Sequence, residues 1–238
     1  MPSPIAFIIP ALNEEVALPP MLDGLRAALD AAVCADADIV VVDNGSRDAT
    51  ASVARKRGAR VVSEPRRGYG QACLAGIAAL SNETWIVVFL DADGSDDPED
   101  LVRLLTPVRG GDADLALGSR TAAARQSGVF TPQQAFGNWL ATGLMRVFFG
   151  ARYTDLGPFR VIRRDALERL KMQDKNFGWT IEMQIKAHRL GLKVLEIPVN
   201  YRKRIAGESK ISGNLVGTVR AGCKILWTIA KYGFPSGR

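Results

Sequence analysis

The sequence has little of the chemistry that many metal centres need. Its 238 residues include one histidine, His188, and three cysteines, Cys34, Cys73 and Cys223. A single histidine excludes a His-rich metal centre. Cysteines that lie far apart and lack CxxC spacing argue against a zinc site or a disulfide scaffold. This use of cysteine fits a reducing cytoplasm, so we expect a cytoplasmic protein.

Long apolar runs are also missing. No window holds about 18 uninterrupted apolar residues, so we expect no membrane-spanning helix. The apolar stretch near the amino terminus ends at Pro10 and follows no basic leader, so we do not expect a signal peptide. The pattern GxxxxGK[ST] is absent, which excludes P-loop chemistry.

The charged residues are divided unevenly along the chain. Hydrophobic residues make up 47% and charged residues 24%, as in an ordinary globular protein, and the formal net charge is +6. Residues 1–119 hold 10 Lys and Arg against 18 Asp and Glu, whereas residues 120–238 hold 21 against 7. An acidic half followed by a basic half indicates two different tasks, and a basic half favours anionic partners.

Short apolar runs alternate with helical patterns and predict a mostly parallel α/β sheet with helices on both faces. The predicted strands are Ile5–Ile9, Ile39–Val42, Val61–Val62, Trp85–Leu90, Leu115–Leu117, Phe159–Ile162 and Val194–Val199. The predicted helices lie at about 16–29, 48–57, 70–80, 98–109, 133–149, 177–190 and 213–231. Asp97 and Pro98 have the residue types of an N-cap and a first helical position.

Polar residues follow three of these strands, at Pro10–Glu14, Asp43–Ser46 and Asp91–Asp93. Ligands bind beyond the carboxyl ends of parallel strands, so these three segments, the strand tips, are predicted to form one ligand-binding site. Asp91 and Asp93 supply hard oxygen ligands at a spacing that suits Mg²⁺ or Mn²⁺ bound together with phosphates. They could equally be turn and capping residues. Asp43 could accept hydrogen bonds from a ribose or base, or form a turn, and Glu14 could cap the first helix.

Gly68-Tyr-Gly70-Gln-Ala-Cys73 is an incomplete GxGxxG motif. A dinucleotide fingerprint follows the first strand of a sheet, and this motif follows the third. We therefore interpret it as a tight turn and a helix start.

Several motifs taken together resemble the family 2 glycosyltransferases. IIPALNEE, VVDNGSRDAT, RRGYGQA, FLDADGSDDPED, GSR and YRKRIAGESKISG occur in that family's order and spacing. The likeness extends over essentially the whole chain and is greatest to the dolichol-phosphate and polyprenyl-phosphate mannosyl- and glucosyltransferases. It implies a GT-A fold and an inverting transfer of a hexose from a nucleotide-sugar, of the GDP-mannose or UDP-glucose type, to a polyprenyl phosphate.

The same resemblance implies roles for individual residues. Asp91, Asp93 and Ser95 would hold the divalent metal, with Ser95 standing where relatives often have Gln. The remaining donor contacts would come from Pro10, Leu12, Glu14, Val41, Asp43, Ala92, Arg120, Arg204 and Lys210.

The acceptor decides whether the reaction needs a general base. A lipid phosphate is already anionic, whereas a hydroxyl acceptor needs a carboxylate in reach, with Glu182 or Asp155 as candidates. Glu182 could instead pair with Lys186 at i,i+4 spacing. His188 fits a surface or packing role.

Two apolar helices raise the question of a membrane. The helix at 213–231 places Arg220, Lys224 and Lys231 opposite an apolar face, with Trp227 beside the basic stripe. Such a helix suits peripheral contact with the inner face of the cytoplasmic membrane, or packing on its own domain. The helix at 133–149 is unusually apolar and could be core, a dimer contact or an element that dips into a bilayer.

We therefore expect a glycosyltransferase domain over residues 1–212, with a nucleotide-sugar-binding half at 1–119 and an acceptor half at 120–212. The amphipathic helix at 213–238 would follow it. A nucleotidyltransferase that uses the same paired aspartates is an alternative, although no Gly-rich basic loop follows the first strand. A basic nucleic-acid-binding module is a second alternative, although the basic loop lacks interleaved aromatic residues.

Overall fold

One seven-stranded sheet organises the protein. The computed structural model describes residues 4–32, 34–121, 130–206, 222 and 226–231. The strands are β1 (Ile5–Ala11), β2 (Asp38–Asp43), β3 (Arg60–Ser63), β4 (Ile86–Phe89), β5 (Leu115–Ser119), β6 (Arg160–Arg163) and β7 (Val194–Pro198). They lie side by side in the order β3-β2-β1-β4-β6-β5-β7.

Helices follow most of the strands, as the alternating pattern predicts. They are α1 (Leu18–Ala31), α2 (Thr50–Lys56), α3 (Tyr69–Ala78), α4 (Leu101–Arg109), α5 (Pro132–Phe149), α6 (Arg164–Leu170) and α7 (Trp179–Arg189). A short 3₁₀ helix, Pro98–Asp100, precedes α4, and the Asp97 side chain accepts a hydrogen bond from the Glu99 amide at 3.2 Å. The predicted N-cap is therefore confirmed.

Strand β6 is the exception to the parallel arrangement. It lies between β4 and β5 and runs antiparallel to both, while the other neighbouring strands are parallel. The chain leaves β5 and returns at the same edge of the sheet, where the Ser119 and Thr154 hydroxyls lie 2.9 Å apart. Because β6 starts at the edge where β5 ends, it must run in the opposite direction.

The strands β1, β2, β4 and β5 are buried on both faces of the sheet, which explains why they are almost entirely apolar. Phe7 and Ile9 on β1 pack in one cluster with α1 and α4. Ile8, between them, packs in a second cluster with α3, α6 and α7. A strand with apolar side chains on both faces leaves polar residues only at its ends, and there they form a site.

A third apolar cluster joins α5 to α7. Ala141 and Met145 of α5 pack against Ile181 and Ile185 of α7 and against Ile229. Residues 222 and 226–231 are helical, within the predicted helix at 213–231. The other residues of that predicted segment, including Arg220 and Lys224, fall outside the described residues. Over the described ranges, no helix is long and apolar enough to cross a bilayer.

The Gly68-Tyr-Gly70 motif forms a turn and the start of α3, as predicted. Gly68 has a φ of 148°, a conformation that favours glycine. A Cβ atom on Gly70 would lie 2.0 Å from the carbonyl oxygen of Asp174. The glycines therefore let the start of α3 lie against the backbone segment that precedes α7. This close packing explains why glycine occurs at both positions.

This packing predicts that Gly70→Ala lowers the free energy of unfolding by about 1–3 kcal/mol, because backbone must move to admit the methyl group. Gly143→Ala is the control, since a Cβ atom there has no neighbour within 4 Å and α5 is helical. It should stabilise the protein by roughly 0.5–1 kcal/mol. Chemical unfolding of both variants checks this. Equal stability of the two would contradict the close approach at Gly70.

Candidate active site

The polar tips of β1, β2 and β4 lie at one edge of the sheet, as the sequence predicts. Ala11 pairs with Asp43, and Ile8 pairs with Phe89 two residues before Asp91. A hydrogen bond joins the first two tips, because the backbone amide of Asn13 donates to the Ser46 hydroxyl at 3.0 Å. The three segments therefore form one continuous polar surface.

Not every predicted donor contact is on that surface. Pro10, Leu12 and Asp43 keep partly exposed side chains, and Glu14 is buried beside them. Val41 and Ala92, in contrast, pack in the apolar core. The Val41 side chain therefore offers no surface to a base, and the expected place of Val41 beside the base and ribose stays a prediction. The Ala92 side chain is likewise unavailable to a ligand.

The acidic loop after β4 brings together more carboxylates than the spacing of Asp91 and Asp93 indicates. Asp93 accepts a hydrogen bond from the Ser95 amide at 2.9 Å, and Asp96 accepts one from the Asp91 amide at 3.4 Å. The second oxygen of Asp96 is buried and has no hydrogen-bond partner in the described part of the chain. Asp96 is therefore a member of the site that the sequence analysis missed.

These carboxylates resist ionisation. Burial, followed by the charge of Asp93, raises the pKa of Asp91 to about 7. Burial and the charge of Asp91 raise the pKa of Asp96 well above its usual range. A divalent cation would relieve this repulsion, and oxygen-only donors suit Mg²⁺ or Mn²⁺.

The residues fit a metal that is shared with a substrate. Among the described residues, no group of three carboxylate, imidazole or thiolate side chains has a metal-binding arrangement. Mg²⁺ is usually held by one or two carboxylates, with phosphate and water oxygens completing its shell. Asp91 and Asp93 match that pattern.

Ser95 is held by contacts within the protein. It is almost fully buried, and its hydroxyl hydrogen-bonds to the Tyr201 hydroxyl. Its backbone carbonyl accepts from the Arg202 amide at 2.9 Å. This side chain ties the acidic loop to the loop at 200–206, and metal ligation by Ser95 stays a prediction.

Arg204 lies between two acidic tips, as predicted for a cation of this site. Its guanidinium is 2.9 Å from an Asp93 oxygen and 3.2 Å from a Glu14 oxygen. Arg202, two residues earlier, pairs with Asp97 at 2.6 Å. The loop at 200–206 is thus held on the acidic loop by ion pairs. Lys210 falls outside the described residues.

Arg120, just after β5, is the second cation of the site. It makes a bidentate pair with Asp155, with distances of 2.8 and 2.9 Å. Its guanidinium also lies 5.0 Å from the ring centroids of Phe130 and Tyr201. Burial would raise the pKa of Asp155, but the charge and hydrogen bonds of Arg120 hold that pKa below its usual range. This carboxylate is therefore a weak base.

Glu182 is a structural residue rather than a general base. It has no exposed surface, pairs with Lys186 at 2.6 Å, and accepts hydrogen bonds from the Gln173 and Asp174 amides. A carboxylate enclosed in this way cannot take a proton from an acceptor. The alternative of an i,i+4 pair with Lys186 is confirmed.

Comparison with known proteins agrees with this geometry. A family model described as glycosyl transferase family 2 matches residues 6–171, more than half of the chain. The chain belongs to glycosyltransferase family 2. This membership makes it an enzyme and favours glycosyl transfer over the nucleotidyltransferase and nucleic-acid alternatives.

Several relatives of this family 2 glycosyltransferase match over most of its length. It is 39% identical to an uncharacterised glycosyltransferase of Mycobacterium tuberculosis, over 91% of this chain and 94% of the relative. It is 34% identical to the undecaprenyl-phosphate mannosyltransferase of Micrococcus luteus, over 88% of each. It is 32% identical to the polyprenol monophosphomannose synthase of Mycolicibacterium smegmatis, over 87% of this chain and 80% of the relative.

Solved structures show the same GT-A fold. Glucosyl-3-phosphoglycerate synthase of M. tuberculosis, in complex with Mn²⁺, UDP and phosphoglyceric acid, superposes with a TM-score of 0.78 at 23% identity. The match covers 97% of this family 2 chain and 78% of the synthase. The same enzyme with Mg²⁺ and UDP gives 0.75 at 25% identity, over 99% and 81% of the two chains.

The structural role of Glu182 predicts that Glu182→Gln lowers the free energy of unfolding by about 2–4 kcal/mol, since it leaves Lys186 without its buried partner. Glu168→Gln is the control, because it breaks the exposed i,i+4 pair with Arg164 and should cost less than about 0.5 kcal/mol. Chemical unfolding measures both. Wild-type stability of Glu182→Gln with loss of transfer would instead restore the general-base role.

Proposed function

We propose that the protein is an inverting, metal-dependent glycosyltransferase that moves a hexose from a nucleotide-sugar to a polyprenyl phosphate at the inner face of the cytoplasmic membrane. Two relatives named for transfer to undecaprenyl phosphate and polyprenol phosphate support this acceptor. A neighbour crystallised with Mn²⁺ and UDP supports the donor class and the metal. The donor is of the GDP-mannose or UDP-glucose type.

The observation that carries the acceptor class is that both candidate bases are already occupied. Asp155 is paired with Arg120 through two hydrogen bonds, and Glu182 is enclosed with Lys186. A hydroxyl acceptor needs a carboxylate to remove its proton. A phosphate is ionised near neutral pH and attacks without a base. Occupied carboxylates therefore favour a phosphate acceptor.

The tips of β1 and β2 are suited to hold the nucleoside. Pro10 and Leu12 offer partly exposed apolar surface for a base. One carboxylate oxygen of Asp43 accepts a hydrogen bond from the Ser46 backbone amide at 3.0 Å, which fixes the orientation of the carboxylate. The side chain is partly exposed at this edge, and its other oxygen can accept from a base N–H or a ribose hydroxyl.

The acidic loop and the two arginines are suited to hold the diphosphate. Asp91 and Asp93 would bind the cation, and the cation would stabilise the negative charge that grows on the departing nucleoside diphosphate. Arg204 lies within 3 Å of Asp93 and can exchange that contact for a phosphate oxygen. Arg120 is held beside them with its orientation fixed by Asp155 and two aromatic rings.

In this arrangement an oxygen of the acceptor phosphate attacks the anomeric carbon of the sugar. The new bond forms on the face opposite the diphosphate, and the bond between the anomeric carbon and the diphosphate oxygen breaks. The electron pair leaves with the nucleoside diphosphate. A single displacement of this kind inverts the anomeric configuration, and no side chain of the protein becomes covalently attached to the sugar.

The test is transfer of radiolabelled hexose by the purified full-length protein, using GDP-mannose and UDP-glucose with a polyprenyl phosphate and with the matching polyprenol. We expect a lipid-linked product from the phosphate and none from the alcohol, in the presence of Mn²⁺ or Mg²⁺ and not with a chelator. Product formed equally from the polyprenol, or no product from either donor, would contradict the proposed function.

Asp93→Ala tests the metal assignment in the same assay. We expect roughly a hundredfold or greater loss of rate, because the leaving group loses its main source of compensating charge. Asp112→Ala, at an exposed carboxylate after α4, is the control and should act as wild type. Full activity of Asp93→Ala would remove this residue from the metal site.

A further inference from the structure

Helix α5 presents an apolar surface to solvent. Its 18 residues include one charged residue, Arg146. Phe136, Trp139, Val147 and Phe148 are 61%, 67%, 78% and 55% exposed. A helix on the surface of a soluble domain normally turns polar residues outward. An outward face made of two phenylalanines, a tryptophan and a valine indicates that something covers it.

The exposed face belongs to a well-formed helix. Thr131 and Gln134 form a capping box at its start, and Gly150 ends it in the left-handed conformation. Ala141 and Met145, on the inward side, are completely buried against α7. The inward side anchors α5 to the domain, so the outward side is held in a fixed position.

A second helical segment adds to this surface. Ile229 is buried in the same cluster as Ala141 and Met145, which makes residues 226–231 a neighbour of α5. Leu226 and Trp227 of that segment are 44% and 53% exposed. Two neighbouring helices therefore each expose a tryptophan together with aliphatic or aromatic residues.

Three cations lie on or beside this surface. Arg146 is exposed on α5, Arg189 lies over the Phe149 ring at 5.1 Å, and Lys231 lies over the Trp227 ring at 5.3 Å. Neither α5 nor the segment 226–231 contains an aspartate or a glutamate. Tryptophan and phenylalanine with cations beside them match the headgroup region of an anionic bilayer.

We propose that the outward face of α5, together with Leu226 and Trp227, is the surface by which this protein docks on an anionic membrane. A symmetric contact between two copies would place the same positive surface against itself, with no acidic partner on α5. An anionic lipid surface satisfies the apolar and the basic residues together. The inference rests on the proposed function, because a polyprenyl phosphate acceptor lies in such a bilayer.

The position of α5 connects this surface to the candidate site. The Asn138 amide group donates to the Thr154 carbonyl at 2.9 Å, and its oxygen accepts from the Leu156 amide at 3.0 Å. Thr154 and Leu156 flank Asp155, the partner of Arg120. A phosphate on a lipid that lies along α5 would therefore arrive close to Arg120 and the diphosphate site, where the sugar is transferred.

The test is flotation of the full-length protein with vesicles of phosphatidylcholine alone and with phosphatidylglycerol added. We expect binding to the anionic vesicles, weakened by salt. The double variant Phe136→Gln/Trp139→Gln should lower the partition coefficient about tenfold or more, since two large apolar side chains no longer enter the interface. Trp85→Gln is the matched control, because Trp85 is 73% exposed just before β4, at the end of that strand opposite the site.

Equal binding of wild type and the double variant, or no binding of wild type to anionic vesicles, would overturn the proposal. A wild-type dimer in ultracentrifugation that becomes monomeric in the double variant, without vesicle binding, would assign this face to a second copy and also overturn it. Unchanged thermal melting and unchanged UDP or GDP binding with Mn²⁺ show that the double variant is folded.

These experiments distinguish failure of the docking proposal from failure of the proposed function. Transfer to a short, water-soluble prenyl phosphate does not require a bilayer. Such transfer without vesicle binding would reject the docking surface and retain the function. Vesicle binding without transfer to any prenyl phosphate would reject the function and retain the surface.

Discussion

The candidate site depends on the attraction between carboxylates of the first half of the chain and arginines of the second. Arg204 joins Asp93 and Glu14, and Arg202 joins Asp97. Without these cations the tips of β1 and β4 would present several buried negative charges to one another. The uneven distribution of charge along the sequence thus corresponds to a contact in space. The acidic half forms the strand tips, and the basic half supplies a loop that lies on them.

This attraction leaves part of the negative charge unbalanced. Burial and Asp93 raise the pKa of Asp91 to about 7, and burial and Asp91 raise the pKa of Asp96 well above its usual range. A buried carboxylate that resists ionisation gains much from a nearby divalent cation, which explains why oxygen ligands and arginines occur together here. Tyr69, the first residue of α3, adds a hydrogen bond to Asp91 and so links the glycine turn to the same group.

The strand tips were predictable because apolar runs and polar endings are local in sequence, and so was the pairing of Glu182 with Lys186. Other features depended on the fold. Asp96 and Ser95 are neighbours in one acidic loop, and the sequence does not distinguish their roles. Only the structure shows that Asp96 keeps a buried oxygen without a hydrogen-bond partner and that Ser95 bonds to Tyr201. The burial of the Val41 side chain in the core, two residues before the end of β2, also depended on the fold. The antiparallel direction of β6 follows from where the chain re-enters the sheet, which no local pattern encodes. The division at residue 212 stays a prediction.

Titration of Mn²⁺ and of a nucleoside diphosphate into wild type and Arg204→Ala tests the central claim most directly. If Arg204 neutralises the carboxylates when no metal is bound and turns to the diphosphate when it is, its removal has opposite effects on the two ligands. Mn²⁺ alone should bind several-fold more tightly, because a competing cation is gone, whereas UDP or GDP at saturating Mn²⁺ should bind roughly tenfold more weakly. Affinities that are both unchanged, or that both fall together, would contradict the account.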